Sequence, residues 1–492
     1  MKEKNNLIGF AAFLALLAWN ISNHCMWGDE LQAWGICRDA QSLSALFRNL
    51  EFEGHPALWH LILYPFTRVT GDPVVLKGVQ FFFASAVLAL VWLRSPFRLE
   101  EKCLISLSYH LVFNYAMMSR SYALGIALTF LFVSCRRCWN RHPRLAWLTL
   151  GLLANVHFFF AVLTATLAAL WLWESRERKA AFKGVSLYLV LMGAAALSIL
   201  RPDNIAGPTI PWFFKFSSKR ILVKLGTFGN AFAPIRAWNQ WTYWDPVMSK
   251  WKALLIALVV ILAILAYLWR EKFAFAAYSA FCLILIIFFY VRHGGYIWHS
   301  GLFFVALLAV VWWVRESGRD SLGPRALFLA LLVLNALGGL KAVVGSKVQP
   351  LTSGQQSAAW IREHGLENEF WVSYPAFPGF VVGAFLDRPT YQVETESFER
   401  FARWGLQTEV APEKLHVLLQ RACEKEHKNI IYLAIEGGFG IRAQGIPQGL
   451  EQTFEMEELK RLQGSKMENF VLYRLTRKAG QEATPSQKTP SP

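Results

Sequence analysis

The sequence predicts an α-helical polytopic membrane protein that closes with a small C-terminal α/β domain. Three observations carry that expectation. Of the 492 residues, 54% are hydrophobic and only 17% are charged. Stretches such as 253–269 ("ALLIALVVILAILAYLW"), 273–291 and 326–340 hold no charge at all. An apolar run of roughly 18 residues or more has the length of a bilayer-spanning helix. The charges, finally, fall between the runs rather than within them.

That placement decides what the net charge of +16 means. The basic residues gather in short links: 94–102 ("RSPFRLEEK"), 136–144 ("RRCWNRHPR"), 174–183 ("ESRERKAAFK"), 270–272 and 315–325 ("RESGRDSLGPR"). Lys and Arg are retained on the cytoplasmic side of short membrane loops. Most of the basicity is therefore topology rather than nucleic-acid recognition, and no nucleic-acid partner is expected.

In chain order, the start "MKEKNNLIGFAAFLALLAW" is basic and then apolar, like a signal peptide. No small-x-small cleavage site follows, so it reads as an uncleaved first helix. Spans are predicted near 7–23, 73–93, 103–118, 121–134, 145–156, 158–173, 182–200, 251–269, 273–291, 296–314 and 324–344. Two long apolar stretches, 103–134 and 145–173, are split into pairs of short or tilted helices at "SRSY" (119–122) and "NVH" (155–157), because roughly 20 residues suffice for one crossing. About eleven crossings put the basic links inside and leave three segments outside: 24–72, 201–250 and everything after about 345. Residues 1–345 thus form a transmembrane domain and 346–477 an extracytoplasmic α/β domain. In the latter, a helix is expected at 353–365 and strands at "EFWVSY", "NIIYLAI" and "NFVLYRL". The polar, Pro- and Ser-rich tail 478–492 reads as disordered. No internal repeat is visible.

The seven Cys form no disulfide framework. Cys135 and Cys138 make a CxxC in a basic link without a second pair. Cys25 and Cys37 share the first external segment, and whether they pair stays open.

The candidate chemistry sits in the external segments and at their edges. "MWGDELQAWGI" (26–36) sets Asp29 and Glu30 side by side among apolar and aromatic residues. Such a pair marks a loop end, or else it is a reactive carboxylate: partial desolvation raises proton affinity and suits a general base. "EFEGHPALWHLILYPFTRVTGDP" (51–73) brings Glu53, His55 and His60 ahead of an apolar periodicity that reads as a helix lying along the interface. His55 can equally be a residue at that helix's start, and His60 an interfacial position. The breaks place Arg120 and Tyr122, then His157, and at "YVRHGGYIWHS" (290–300) Arg292 and His293, at outer helix ends. Ionisable groups at membrane level more often serve function than stability. The 201–250 segment interleaves cations, Arg220 among them, with aromatics from Trp212 to Trp244. It suits an anionic lipid headgroup, or simply an interfacial helix on anionic lipid.

The acidic pair after the first span, "HPALWHLILYPFTRVTGD", "MMSRSYAL" and "NVHFFF", in that order, resemble the GT-C-fold integral membrane glycosyltransferases. The nearest likeness is to the protein O-mannosyltransferase and aminoarabinose-transferase-like branch. The likeness covers about the first 170 residues. Ala57 stands where the second Pro of an HPPL stretch falls, and Ser121 where Met or Pro is frequent. The resemblance implies a polyprenyl-phosphate-linked sugar donor used on the non-cytoplasmic face, transfer with inversion, and a bacterial inner-membrane location. The acceptor is a glycan, lipid or protein that the sequence does not identify. By position, the resemblance makes Asp29 the general base and Glu30 a neighbour that tunes it or binds acceptor or metal, with Glu53 and His55 flanking the cavity. Arg120, Tyr122, His157, Arg220, Arg292 and His293 would meet donor phosphate or sugar. The sequence offers no metal-ligand cluster; a divalent cation remains compatible with the acidic pair. A lipid phosphate as leaving group also accounts for the lack of a Gly-rich nucleotide loop. The rival is a lipid-linked sugar flippase or transporter, which predicts ionisable residues at mid-span and paired halves.

Overall fold

In an apolar medium every backbone N–H and C=O must find its partner inside its own segment, so uncharged runs without Pro become helices. The computed structural model describes residues 2–51, 53–175, 178–199, 212–235, 250–292, 294–318, 322–404, 410, 414–437 and 449–478. The chain divides into two compact units, Met1–Pro350 and Leu351–Pro492.

The first unit is helical. Its elements are α1 (Lys2–Ser22), α2 (Gly28–Asp39), α3 (Leu43–Leu50), α4 (Leu58–Val69), α5 (Val75–Ala89), α6 (Leu99–Leu107), α7 (Tyr122–Ser134), α8 (Pro143–Ala154) and α9 (Phe158–Glu174). They continue with α10 (Arg178–Ala181), α11 (Val185–Ile199), α12 (Ser218–Phe232), α13 (Lys250–Leu268), α14 (Lys272–Val291), α15 (Ile297–Glu316) and α16 (Arg325–Val348). π-helical turns at Leu90–Arg94 and Tyr109–Asn114 extend α5 and follow α6.

Among the described residues six helices are long and apolar enough to cross a membrane: Glu3–Ser22, Val75–Arg94, Trp251–Leu268, Lys272–Val291, Ile297–Glu316 and Arg325–Val348. This is a helical membrane protein. The eleven-span count is corrected on length. The spans expected at 103–118, 121–134, 145–156, 158–173 and 182–200 fall on helices no longer than the 17 residues of α9. The 155–157 break bounds α8 and α9, whereas α6 already stops at Leu107 and a π-helical turn follows it before the 119–122 break. α15 is enclosed along nearly its whole length. α13 and α14, in contrast, turn Leu255, Val259, Leu262, Leu283 and Ile287 outward, each more than half exposed. A contiguous apolar face of that kind is what lipid covers.

Contacts define two ends of this unit. At one, the basic links meet. Arg315 binds Glu101, Arg325 binds Glu100 and Glu101, Arg136 binds Glu174, and Lys102 donates to Asn6. At the other lie the end of α1, the start of α2, and the breaks at 119–122 and 155–157. Here Lys77 donates to the Ser22 carbonyl at 3.1 Å and the Leu58 N–H to that of Asn155 at 3.3 Å. Arg68 Nη2 donates to the Cys37 and Arg38 carbonyls, 2.9 Å each, and fastens α4 to the last turn of α2.

Residues 24–72, expected to be an external segment, hold more helix than expected. α4 covers the interfacial helix, but α2 and α3 were not foreseen. α2 buries every residue from Glu30 to Cys37, so it shows no polar face by which to recognise it. Cys25 and Cys37 are free thiols, and Cys37 Sγ donates to the His60 carbonyl at 3.4 Å.

The second unit is a six-stranded mixed sheet in the order β3-β2-β1-β4-β6-β5. Its strands are β1 (Trp371–Tyr374), β2 (Thr390–Gln392), β3 (Ser397–Glu399), β4 (Ile430–Glu436), β5 (Phe454–Arg461) and β6 (Phe470–Arg477). β1 runs parallel to β2 and β4 at the centre. β4 is an almost continuous apolar run, as a strand covered on both faces requires. The charged β5 (FEMEELKR) forms one edge and pairs only with β6, a composition that discourages further pairing. The helices α17 (Gly354–Glu363), α18 (Ala376–Leu386), α19 (Leu415–Lys425) and α20 (Leu450–Thr453) complete the unit. The helix and three strands expected from sequence coincide with α17, β1, β4 and β6. The tail after 478 lies outside the described residues.

Candidate active site

Asp29 and Glu30 occupy the first turn of α2, where the free N–H groups of a helix start favour negative charge. One residue of helix turns them in different directions. Glu30 is fully buried. Its carboxylate accepts from the backbone N–H of Trp27 at 3.2 Å and of Ser119 at 2.6 Å, and it meets His24 Nε2 at 2.6 Å. It thereby ties the end of α1, the start of α2 and the 119–122 break together. Asp29 points the other way. Among the described residues its ion-pair partner is Arg120, with Nη1 at 2.9 Å from Oδ2, and its side chain remains 23% exposed. Burial pushes the Asp29 carboxyl up from the ordinary aspartate range; the Arg120 guanidinium opposes the shift, and neighbouring Glu30 adds to it.

Arg120 sits over the Tyr122 ring, 5.4 Å from its centroid, and within electrostatic range of Asp29, Glu30 and Glu53. Glu53 accepts from Gln32 Nε2 at 2.5 Å. Tyr122 Oη lies 3.4 Å from His157 Nε2. His157 Nδ1 accepts the Phe159 N–H at 3.3 Å and so caps α9. That acceptor role leaves the proton of a neutral imidazole on Nε2, aimed at Tyr122. The His55 ring packs against His157 at 4.7 Å and the His299 ring at 6.0 Å. Asp29, Glu30, Glu53, His55, Arg120, Tyr122 and His157 therefore form one group.

Arg220 and Arg292 belong to another. Arg220 stacks on Phe213 at 4.3 Å and Tyr290 at 5.5 Å, and Arg292 on Trp212 at 5.1 Å. Beside them Trp212, Phe214 and Phe216 are 56%, 77% and 84% exposed. His293 lies outside the described residues, as do 201–211 and 236–249 of the basic segment expected outside. His60 is buried in α4; burial first, then nearby His55, pushes it down to about 3, so it stays a neutral imidazole. Among the described residues no group of three or more His, Cys, Asp or Glu could hold a metal ion.

The sequence reading missed several members. His24 stands one turn before α2 and looks like loop. Gln32 differs from Glu30 by only two positions, and only the fold shows that it holds Glu53. Gln80, a lone amide in an apolar span, donates to the Tyr115 and Ala116 carbonyls at 2.7 and 2.9 Å and supports the chain ahead of Arg120; its isolation was the available signal. His299 lay within the quoted "YIWHS". Gly301, one turn on from Ile297, lets the site's inner wall close: a Cβ there would sit 2.2 Å from His110 Nδ1 and 2.5 Å from Tyr115 Oη. Tyr115 in turn stacks on Tyr122 at 4.9 Å.

Compared with family models, with curated proteins and with solved structures, the chain finds no match.

Proposed function

We propose that this chain is a membrane glycosyltransferase that moves a sugar from a polyprenyl-phosphate donor to an acceptor on the non-cytoplasmic face, with inversion and with Asp29 as general base. The observation that carries the reading is the division of labour between adjacent acids: Glu30 is enclosed by three partners, while Asp29 keeps an open side and one cation. In the reaction Asp29 takes the proton of the acceptor hydroxyl or amine. The acceptor's lone pair forms the new bond to the anomeric carbon, and the bond from that carbon to the phosphate oxygen breaks. The electron pair leaves with polyprenyl phosphate, whose charge Arg120 helps to balance. Arg120 keeps the base ionised beforehand, and burial gives it the proton affinity to act. Glu30 positions Asp29 rather than touching substrate. Tyr122, His157 and His55 form the wall beside the sugar. Arg220 and Arg292, among exposed aromatics, suit the headgroup zone of the surrounding lipid.

The side follows from the two ends of the helical unit: Lys and Arg links at one, Asp29 at the other, hence outward. The bacterial inner membrane is the location that matches this reading.

The test offers a panel of short-chain polyprenyl-phosphate sugars to purified protein with total membrane acceptors, wild type against Asp29→Asn. Transfer by wild type and its loss in the variant supports both enzyme and base. Equal transfer moves the base to another residue, Glu53 first. No transfer from any donor, with tight binding of the lipid phosphate, favours a flippase.

A further inference from the structure

At the end where the basic links meet, one short segment fastens three helices together. The Arg136 side chain, just past the last turn of α7, donates through Nε to Glu174, the last residue of α9, at 2.8 Å. Through Nη1 it reaches the carbonyl of Glu316, the last residue of α15, at 3.3 Å. Arg137 Nη2 donates to the same carbonyl at 3.3 Å. Trp313 closes the set: its Nε1 donates to Glu174 at 2.9 Å, and Arg136 lies over its ring at 5.2 Å. The same three helices carry the candidate site at their far ends. Tyr122 opens α7, His157 caps α9 and His299 lies in the first turn of α15. A clamp at one end of α7, α9 and α15 therefore bears on the geometry at the other.

The two arginines of the clamp are the residues between Cys135 and Cys138. Cys135 follows the last residue of α7 and is half-buried, whereas Cys138 is exposed; both are free thiols. The Cys138 N–H donates to the Cys135 carbonyl at 2.7 Å and so closes a four-residue turn. A turn of that kind holds its first and fourth Cα within about 7 Å, and a disulfide spans roughly 4.4–6.8 Å between Cα atoms. Arg137, Arg141 and Arg144, all exposed, flank Cys138 in the chain, a setting that draws in an anionic reagent. In the reading above the basic links mark the cytoplasmic side. Thiols there stay reduced, and a disulfide that does form is transient and serves catalysis or sensing.

We infer that Cys135 and Cys138 are a reversible oxidation site that opens this clamp, with an anionic small-molecule disulfide, glutathione disulfide, as the oxidant. The inference rests on the sidedness proposed above. The exposed Cys138 thiolate attacks one sulfur of the oxidant and expels a glutathione thiolate, which leaves a mixed disulfide on Cys138. The Cys135 thiolate then attacks Cys138 Sγ. The protein disulfide forms, the second glutathione leaves with the electron pair of the broken bond, and the two thiol protons go to the two departing thiolates. The protein loses two electrons and the oxidant gains them. Drawing the two sulfurs to about 2.05 Å re-aims the residues between them, and these are Arg136 and Arg137. Their bonds to Glu174 and Glu316 are lost, and α7, α9 and α15 are held less tightly at this end.

The experiment equilibrates the full chain in nanodiscs against glutathione buffers from fully reduced to fully oxidised, traps free thiols by alkylation and reads the peptides by mass spectrometry. The expected product is a Cys135–Cys138 disulfide, reversed by dithiothreitol. With it the melting temperature falls by about 2 °C or more, and transfer drops on the order of ten-fold. Cys138→Ser should hold both readouts at their reduced values under oxidant, and Cys135→Ser should stop at the glutathione adduct on Cys138. Arg136→Gln, which releases Glu174 without touching a sulfur, should lower the melting temperature of the reduced protein by a similar amount. Oxidation of Cys25 or Cys103 in place of the pair overturns the assignment. So does a disulfide that leaves either the melting temperature or the rate of a transferring protein unchanged. A shifted melting temperature in a protein that transfers no sugar in either state supports the switch and counts against the transferase reading alone.

Discussion

The two ends of the helical unit both bury a glutamate, and they use it alike. At the end with the basic links, Glu101 is fully enclosed. It accepts from Arg315 Nη1 at 2.7 Å and Nη2 at 3.0 Å, from Arg325 Nε at 3.1 Å and from the Arg98 N–H at 2.8 Å. At the opposite end Glu30 is equally enclosed. The ends differ in what stands next to that glutamate. Glu100, beside Glu101, is half exposed and paired outward with Arg325. Asp29, beside Glu30, is largely withdrawn from water and still keeps one open side. A carboxylate that fastens a fold is surrounded by donors, whereas one that can accept a substrate's proton retains an unfilled direction.

Breaking each acid in turn sharpens that contrast. The largest effect is expected from Asp29→Asn: transfer falls about 10²- to 10⁴-fold, the range of a lost general base, with the melting temperature nearly unchanged. Single-turnover rates and a thermal-shift assay measure both; a variant that melts early would reassign Asp29 to scaffolding. Glu101→Ala is the converse. It strands Arg315 and costs about 3–5 kcal/mol of stability, while transfer per folded molecule stays within about two-fold of wild type. Glu30→Gln falls between, losing about 1.5–3 kcal/mol of charge-assisted hydrogen bonding and some rate through misplacement of Asp29; an unchanged melting curve would contradict its tethering role.

The pH profile probes the open acid directly. The base works only when ionised, so the rate falls as pH drops through its pKa. Burial holds that pKa above the ordinary aspartate value and Arg120 holds it down. Arg120→Ala should therefore move the acid limb of the single-turnover profile to higher pH; a limb that stays put means another group titrates. The smallest effect belongs to Glu458→Gln on β5. Its pair with Arg461 is 39% and 45% exposed, and chemical denaturation should register no more than about 1 kcal/mol.

The sequence displayed the helices by their apolar runs, and it displayed the candidate group by the order of four short motifs. Asp29, Arg120, Tyr122 and His157 meet because the breaks that interrupt the apolar stretches all lie at one end. What it hid was direction. Nothing in "GDEL" says that Glu30 turns inward to Ser119 while Asp29 turns out, since the difference is one step of about 100° around α2. It also hid α2 itself, because a helix buried on all sides lacks the two-faced pattern that periodicity detects. The crossing count was read from hydropathy and the placing of the basic links, and the early helix ends at Asn155 and Ser108 show that apolar length and helix length part company.

Glu30 also has a consequence for biogenesis. Its partners lie at positions 24, 27 and 119, so the acid leaves the ribosome about ninety residues before the last of them. Until α5, α6 and the break beyond them are in the bilayer, Glu30 has two of its three contacts, although α4 can already fasten to α2 through Arg68. The end that holds Asp29 is thus assembled late although its acids are made early, and a nascent chain arrested before Ser119 carries Glu30 without its third contact.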